Sequence, residues 1–197
     1  MPLAVFLLGH AGSGKTRLAK RWIRSRLKKG EHWALLDKDI CGEALANTLM
    51  SFLGLNPNDR DSPEYKKFVR DVEYQNCLNI AKDQLKLGIN VIMPGPWNKE
   101  LENGRLFSVK DLEFPEDTVL RHIYLNSSIE KMKNRVYERD NPRDKWKKEN
   151  WGVFEKTLVI PMAIIERAIP MVNVTGDLEL DVEVLKNIFK KMSAGPA

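Results

Sequence analysis

The octapeptide GHAGSGKT at positions 9–16 constrains the fold of this chain more than any other feature. It matches the pattern G-x-x-x-x-G-K-[ST] in full, a pattern that binds nucleotide phosphates when a buried strand precedes it and a helix follows it. Residues 3–8 form a continuous apolar run that predicts such a strand, and an amphipathic helical pattern begins directly after the motif. The sequence therefore predicts a phosphate-binding loop between a strand and a helix.

The residues of this loop have separate chemical roles. Its glycines let backbone amides turn towards the phosphates, Lys15 neutralises the β- and γ-phosphate oxygens, and the Thr16 hydroxyl reaches Mg²⁺. His10 is interpreted as a spacer and not as a catalyst. The predicted nucleotide-binding residues are Gly9, His10, Ala11, Gly12, Ser13, Gly14, Lys15 and Thr16.

Positive charge is concentrated in the helix that follows the loop. The net charge of the chain is +5, and residues 15–29 contain many lysines and arginines but no acidic residue. Such a segment could attract nucleic acid. The apolar residues Leu18, Trp22 and Ile23 recur at helical spacing within it, however, so we favour an amphipathic helix with a solvated cationic face. We expect no nucleic-acid partner.

Apolar runs alternate with helical patterns along the rest of the chain. Short strands are predicted at residues 3–8, 32–36, 89–93, 119–125 and 171–174, and Ser127 with Glu130 predicts a helix that carries Ile129, Met132 and Val136 inward. This alternation predicts an α/β fold of three layers with a mainly parallel five-stranded sheet. We expect a single domain over residues 1–193, with a tail at 194–197.

Two carboxylates follow the second predicted strand. On an extended chain Asp37 and Asp39 point to the same side, towards the crevice beside the phosphate loop where ligands bind in such sheets. The alternative is that they cap a helix beginning near Ile40. Because the third strand lacks a terminal acid, we favour Asp37 as a Mg²⁺ ligand and Asp39 as the base that accepts a hydroxyl proton.

Arginines that could close over phosphates lie in a later helix and in the segment after it. Arg135 and Arg139 share a helix stripe, and Arg143 lies within residues 140–151, which are dense in charge and tryptophan and are interpreted as a lid and not as core. A mobile arginine-bearing segment would exclude water and stabilise charge. The alternative is an ion-paired surface helix, since Glu130, Glu138 and Asp140 are near in sequence.

Cellular context follows from simple absences. Cys41 and Cys77 have no second Cys or His at metal-ligand spacing and are expected to be reduced thiols. The apolar start has neither a basic leader nor a cleavage site, and no stretch is long enough to span a membrane. We therefore expect a cytosolic protein without a membrane partner.

With these groups assembled, the chain resembles the P-loop small-molecule kinases: shikimate kinase, gluconate kinase, chloramphenicol phosphotransferase and the zeta-toxin kinases, and most of all their bacterial ATP-binding relatives. The resemblance rests on the loop, on the Asp37 and Asp39 pair after the second strand, and on Arg135 and Arg139 before the lid. It implies that Arg135 covers adenine while Arg139 and Arg143 reach the phosphates.

The resemblance also implies where a phosphate acceptor binds. Residues 40–87 are the expected acceptor-binding helical region, with Arg60, Arg70 and Tyr74 as candidate contacts. The chain departs from shikimate kinase after the third strand, where residues 94–97 read Pro-Gly-Pro-Trp in place of a glycine-rich turn. An acceptor that is a sugar, an amino acid, an antibiotic or a nucleoside is compatible with this region.

The expected activity is transfer of the γ-phosphate of ATP to a small-molecule hydroxyl, with Mg²⁺. ATP is favoured over GTP because residues 98–101 begin like a guanine-selecting NKxD motif but lack its aspartate. One alternative is a polynucleotide, nucleotide-sugar or zeta-toxin-type kinase that uses the same groups. Another is a nucleotide-dependent ATPase switch or accessory protein, which would not need the aspartate pair.

Overall fold

Five parallel strands form the centre of the molecule. The computed structural model describes residues 1–193, and the predicted tail at 194–197 lies outside them. The strands are β1 (Leu3–Leu8), β2 (Trp33–Leu35), β3 (Asn90–Pro94), β4 (Val119–Asn126) and β5 (Met171–Asn173). Their order across the sheet is β2-β3-β1-β4-β5, and every neighbouring pair is parallel. The predicted parallel five-stranded sheet is confirmed.

Helices cover both faces of this sheet. The longer ones are α1 (Lys15–Leu27), α2 (Lys38–Phe52), α4 (Arg70–Lys86), α6 (Ile129–Glu138) and α10 (Leu178–Ser193). The shorter ones are α3 (Pro63–Phe68), α5 (Asn98–Glu102), α7 (Lys145–Glu149), α8 (Trp151–Phe154) and α9 (Met162–Glu166). Single 3-10 turns occur at Arg105–Phe107, Pro142–Asp144 and Glu155–Thr157. None of the helices within residues 1–193 combines the length and apolar character that a membrane span requires.

The central strand β1 has a hydrophobic core on each of its two faces, which accounts for the three layers. Ala4, Phe6 and Leu8 pack into the core beneath α4, while Val5 and Leu7 pack into the opposite core with α1 and α10. All five side chains are fully buried, which is why the run is apolar without alternation. Burial of each large side chain stabilises the fold by about 1.5–3 kcal/mol.

Helix starts were less accurately predicted than strands. Helix α6 is capped by Ser128, whose side chain accepts a hydrogen bond from the Lys131 amide, and not by Ser127. As a result Ile129 is 44% exposed, whereas Met132 and Val136 are buried as expected. Both cysteine thiols are free, and Cys77 is fully buried.

Candidate active site

The phosphate loop connects β1 to α1 at the carboxyl edge of the sheet, and close packing requires two of its glycines, Gly9 and Gly12. A side-chain carbon at Gly12 would lie 2.5 Å from the Met132 carbonyl oxygen, and one at Gly9 would lie 2.7 Å from the Leu125 carbonyl oxygen. Gly12 and Gly14 also have positive φ angles, 79° and 94°. The loop therefore rests directly on the backbone of β4 and α6, and a substituted loop would have to move.

Lys15 folds back over this loop. Its ammonium donates to the His10 carbonyl oxygen at 2.7 Å and to the Ser13 hydroxyl at 3.4 Å. Burial lowers the pKa of Lys15 to about 8, although the carboxylates of Asp39 and Asp37 partly oppose this effect. These weak neutral partners are ones that a phosphate could replace, because an anion gives the buried ammonium a stronger contact.

The pKa of Lys15 leads to a prediction about nucleotide affinity. Only the protonated amine attracts phosphate, so affinity for AMPPNP should be constant below pH 8 and fall as pH rises through 8, by up to about tenfold per pH unit. Calorimetric titration between pH 7 and 10 measures this slope. In Lys15→Arg the side chain stays charged over that range, so its slope should be flat. A wild-type affinity that is unchanged at pH 9.5 would contradict the prediction.

Thr16 and Asp37 meet directly beside the loop. The Thr16 hydroxyl donates to Asp37 Oδ2 at 2.7 Å, while Asp37 Oδ1 accepts from the Asp39 amide at 3.1 Å. Asp37 is thus the N-cap of α2 as well as a neighbour of the phosphate loop. The expectation of an extended Asp37–Asp39 pair is wrong, because α2 begins at Lys38 and places Asp39 in its first turn. The capping alternative is correct for Asp37.

Asp39 is held between two cations. Its Oδ1 accepts from Lys38 Nζ at 2.5 Å, and its Oδ2 accepts from Arg143 Nη2 at 2.7 Å. Burial alone would raise the pKa of this carboxyl, but Lys38 and Arg143 lower it well below its ordinary value. Asp39 is therefore ionised, and each of its two carboxylate oxygens already accepts a hydrogen bond from a cation.

The three arginines have different partners. Arg135 donates to the Gly12 carbonyl oxygen at 3.1 Å and to the Ser127 hydroxyl at 3.3 Å, so it lies against the phosphate loop. Arg139 makes a two-point ion pair with Asp144, one contact of which measures 2.6 Å. Arg143 binds Asp39. The ion-paired alternative therefore applies to Arg139, but its partner is Asp144 and not one of the acids considered from the sequence.

Residues 140–151 are more ordered and more buried than the sequence predicts. The sequence predicts a lid outside the core here, yet residues 142–149 form helical turns, and Asp144 is 1% and Trp151 is 7% exposed. The Asp144 carboxylate also lies 3.9 Å from Lys147 Nζ, and Lys147 binds Asp61 at 2.6 Å. Buried charges are tolerated when they are paired in this way. The segment is consequently anchored to the loop that precedes α3.

One cavity of roughly 1060 Å³ connects these groups. Gly9 and Ser13 do not line it, but the other predicted site residues do: His10, Ala11, Gly12, Gly14, Lys15, Thr16, Asp37, Asp39, Arg60, Arg70, Tyr74, Arg135, Arg139 and Arg143. At one end it reaches Val174, Gly176 and Leu178 after β5. Towards the β3 side its lining includes Tyr65, Arg70 and residues 94–96 at the end of β3 and after it. The cavity can hold a nucleotide and a second molecule side by side.

A buried network of polar side chains next to Asp39 was not predicted from the sequence. Lys38 Nζ lies 3.8 Å from Glu73 Oε2, and the Tyr65 hydroxyl donates to the same oxygen. Burial would lower the pKa of Lys38, but Tyr74, Asp39 and Glu73 raise it above its ordinary value. The position of Lys38 between two aspartates was the available signal. The sequence contains no signal for the burial of Glu73, because a glutamate in a helix is ordinarily exposed.

Oxygen atoms near the loop fit a divalent cation. No group of three or more His, Cys, Asp or Glu side chains within residues 1–193 forms a metal cage. Mg²⁺ in nucleotide sites does not need one, since phosphates and water supply most of its ligands. The Thr16 hydroxyl and the Asp37 carboxylate, 2.7 Å apart, are donors of the required kind.

A comparison with protein families classifies the chain. A family model described as an AAA domain matches residues 5–158, which include the phosphate loop, both aspartates and all three arginines. The chain belongs to this AAA-domain family. No curated protein sequence matches it.

Solved structures similar to this AAA-domain protein include kinases. The Mycobacterium tuberculosis APS kinase in complex with AMPPNP and APS is 16% identical, with 96% of this chain and 98% of that chain covered and a TM-score of 0.59. A Thermus thermophilus protein is 20% identical, with coverages of 96% and 97% and a TM-score of 0.59. A Chloroflexus aurantiacus protein described as a kinase is 17% identical, with coverages of 96% and 97% and a TM-score of 0.55. The P-loop kinase fold expected from the resemblance is confirmed.

Proposed function

We propose that this AAA-domain protein is a kinase that transfers the γ-phosphate of ATP to a hydroxyl group of a small molecule. The observation that carries the proposal is the position of Asp39. Asp39 lines the same cavity as Lys15 and Thr16, and it lies in α2 directly after β2, the edge strand opposite β5. A carboxylate at this place serves a hydroxyl acceptor, whereas nucleotide binding alone does not require it.

The nucleotide half of the site is assigned to the loop and to Arg135. Residues 9–16 would surround the phosphates with backbone amides, and Lys15 would neutralise the β- and γ-oxygens. Arg135 already contacts the Gly12 carbonyl oxygen, so its guanidinium is next to the place that the nucleotide would occupy. We assign the cavity end at Val174 and Leu178 to adenine, because its lining is partly apolar there.

Thr16 and Asp37 are assigned to Mg²⁺. When bound, the ion would neutralise charge on the β- and γ-phosphates during transfer. The Thr16 hydroxyl now donates to Asp37 Oδ2, so the two oxygens that would bind the cation already lie together. The capping contact from Asp37 Oδ1 to the Asp39 amide would hold the other end of the carboxylate in place.

Asp39 would orient the acceptor and receive its proton. The acceptor oxygen forms a bond to the γ-phosphorus, the bond from that phosphorus to the ADP oxygen breaks, and the hydroxyl proton passes to the Asp39 carboxylate. Arg143 now occupies Oδ2 of Asp39. Its movement to the γ-phosphate would free this oxygen and remove a cation that lowers the pKa of Asp39. Arg139 and Arg143 would then stabilise the transferring group.

Replacement of Asp37 by Asn tests the metal assignment. The amide keeps the size and the capping oxygen but loses the charge, so the Mg²⁺ concentration for half-maximal activity should rise by about tenfold or more. Titration of activity with MgCl₂ at fixed ATP measures this shift. Asp59→Asn, in the loop that precedes α3, is the matched control and should leave the requirement unchanged. An unaltered Mg²⁺ requirement in Asp37→Asn would remove Asp37 from the metal site.

A screen for acceptors tests the proposal itself. ATP consumption is measured with panels of hydroxylated sugars, amino acids, antibiotics, nucleosides and their phosphorylated or carboxylated forms, and Lys15→Ala serves as the blank. We expect stimulation by a narrow class of compounds in the wild-type protein only. ATP consumption that no compound stimulates, at a constant rate in water, would favour the ATPase-switch alternative.

A further inference from the structure

Three cations and two tyrosines form one wall of the cavity beyond Asp39. The Lys38 ammonium lies 5.1 Å and the Arg70 guanidinium 3.7 Å from the Tyr74 ring centroid, and the Arg60 guanidinium lies 5.3 Å from that of Tyr65. The Tyr65 hydroxyl binds Glu73, which neighbours Lys38, which in turn binds Asp39. A continuous set of contacts therefore connects Arg60 to the proposed base.

Most cations around this half of the cavity are neutralised by a carboxylate. Lys38 has Asp39 and Glu73, Arg70 has Glu100 and Asp71, Lys99 has Asp71, and Lys147 has Asp61 and Asp144. These pairs hold the wall in place but add little net charge. Glu102 also lines the cavity, and within residues 1–193 no cation lies within ion-pair distance of its carboxylate. Any attraction of this half of the cavity for an anion must therefore come from the cations that remain and must outweigh this carboxylate.

Arg60 is one of the remaining cations. It donates to the carbonyl oxygens of Pro57 and Asp59, both at 2.8 Å, and to Asn47 Oδ1 at 2.6 Å, all of which are neutral. Its Nε is buried and has no hydrogen-bond partner. The nearby Asp59 carboxylate accepts from the amides of Asp61 and Ser62 instead. Within residues 1–193 no carboxylate lies within ion-pair distance of Arg60.

Lys66 is the second such cation. It lies in α3, one residue after Tyr65, and its side chain lines the same cavity. No ion pair to Lys66 exists within the part of the chain that the structure describes. Within residues 1–193, two cations without an ion pair therefore line the cavity, and the Asp59 carboxylate attracts Arg60 only from beyond ion-pair distance.

We propose that the acceptor carries an anionic group, a phosphate, sulfate or carboxylate, and that Arg60 and Lys66 bind it. This inference rests on the proposed kinase function and names its substrate class. A planar guanidinium that is already fixed by three neutral acceptors loses little freedom when it binds an oxyanion, and the anion supplies the charge that the site lacks. Neutral sugars and nucleosides are then poor acceptors unless they carry such a group.

Binding of inorganic sulfate to the nucleotide-loaded protein tests this inference. Protein saturated with Mg²⁺ and AMPPNP is titrated with sodium sulfate by calorimetry, with sodium chloride added to keep ionic strength constant. We expect one saturable sulfate site, weakened about tenfold or more in Arg60→Gln and in Lys66→Gln and largely retained in Arg60→Lys. Thermal denaturation of Arg60→Gln checks that the variant is folded, and Lys66→Gln, on an exposed side chain, provides the test if it is not.

The matched control combines Arg24→Gln on the solvated face of α1 with Lys28→Gln directly after that helix. These exposed cations would bind sulfate only through general surface charge, so their loss should leave the affinity unchanged. Absence of a sulfate site in the loaded protein, or equal affinity in the wild type, Arg60→Gln and Lys66→Gln, would overturn the inference. Nucleotide binding and phosphate transfer are measured separately from sulfate binding. Failure of this inference is therefore distinguishable from failure of the kinase proposal.

Discussion

Replacement of Asp39 by Asn should lower the rate of phosphate transfer by about 10²–10⁴-fold while AMPPNP affinity changes little, because general base catalysis typically contributes that factor. The amide has the shape of the carboxylate and can still orient a hydroxyl, but it cannot accept the proton. The rate of phosphorylated product formation, measured with an acceptor from the screen, gives the first quantity. Calorimetry with AMPPNP gives the second.

The control for this variant is Asp71→Asn. Asp71 also pairs with a lysine and an arginine, but it lies on the exposed side of α4 and does not line the cavity. Its replacement should leave transfer unchanged, which separates the loss of a base from the loss of an ion pair. Near wild-type transfer by Asp39→Asn would show that the base is assigned to the wrong residue.

Replacement of Gly12 by Ala should reduce both stability and nucleotide binding. The added carbon would lie 2.5 Å from the Met132 carbonyl oxygen and 3.0 Å from the Met132 Cα, both parts of the rigid backbone of α6. The combined cost of the contact and of the positive φ should be about 2–4 kcal/mol, or a fall in Tm of roughly 5–15 °C. Loss of the loop conformation should also weaken AMPPNP binding by about tenfold or more.

Gly30→Ala is a closely matched control for this variant. Gly30 has a φ of 75°, almost equal to the 79° of Gly12, yet no atom lies within 4 Å of the added carbon. Its replacement should cost only about 1 kcal/mol from backbone conformation and should not alter nucleotide affinity. Equal destabilisation by the two variants in thermal or urea unfolding would mean that packing against α6 is unimportant.

The sheet and the phosphate loop were predictable because their signals are local. A strand buried on both faces needs a short apolar run, and β1 and β3 show one. The loop has a fixed pattern of glycines, a lysine and a hydroxyl, each with its own physical requirement. The regular alternation of strands with helices then leaves few arrangements for a parallel sheet.

Details of the site were less predictable because they depend on residues that are distant in sequence. Asp37 carries the same side chain whether it caps a helix or faces a metal, and in the structure it contacts both the Asp39 amide and Thr16. The pairing of Arg139 with Asp144 needed the helical turn at Pro142–Asp144, which a charge-dense sequence does not indicate. Burial of Glu73 follows from packing between α2 and α4, since its side chain would contact a carbon added at Gly42.

Transfer of phosphate from ATP to an acceptor other than water can be tested directly by one labelling experiment. The protein is incubated with [γ-³²P]ATP and a small-molecule extract of cells that express it, and the labelled products are separated by chromatography. We expect label in an organic phosphate ester with the wild-type protein and its absence with Lys15→Ala and Asp39→Asn. Label found only in inorganic phosphate, at a rate that the extract and Asp39→Asn leave unchanged, would contradict this expectation.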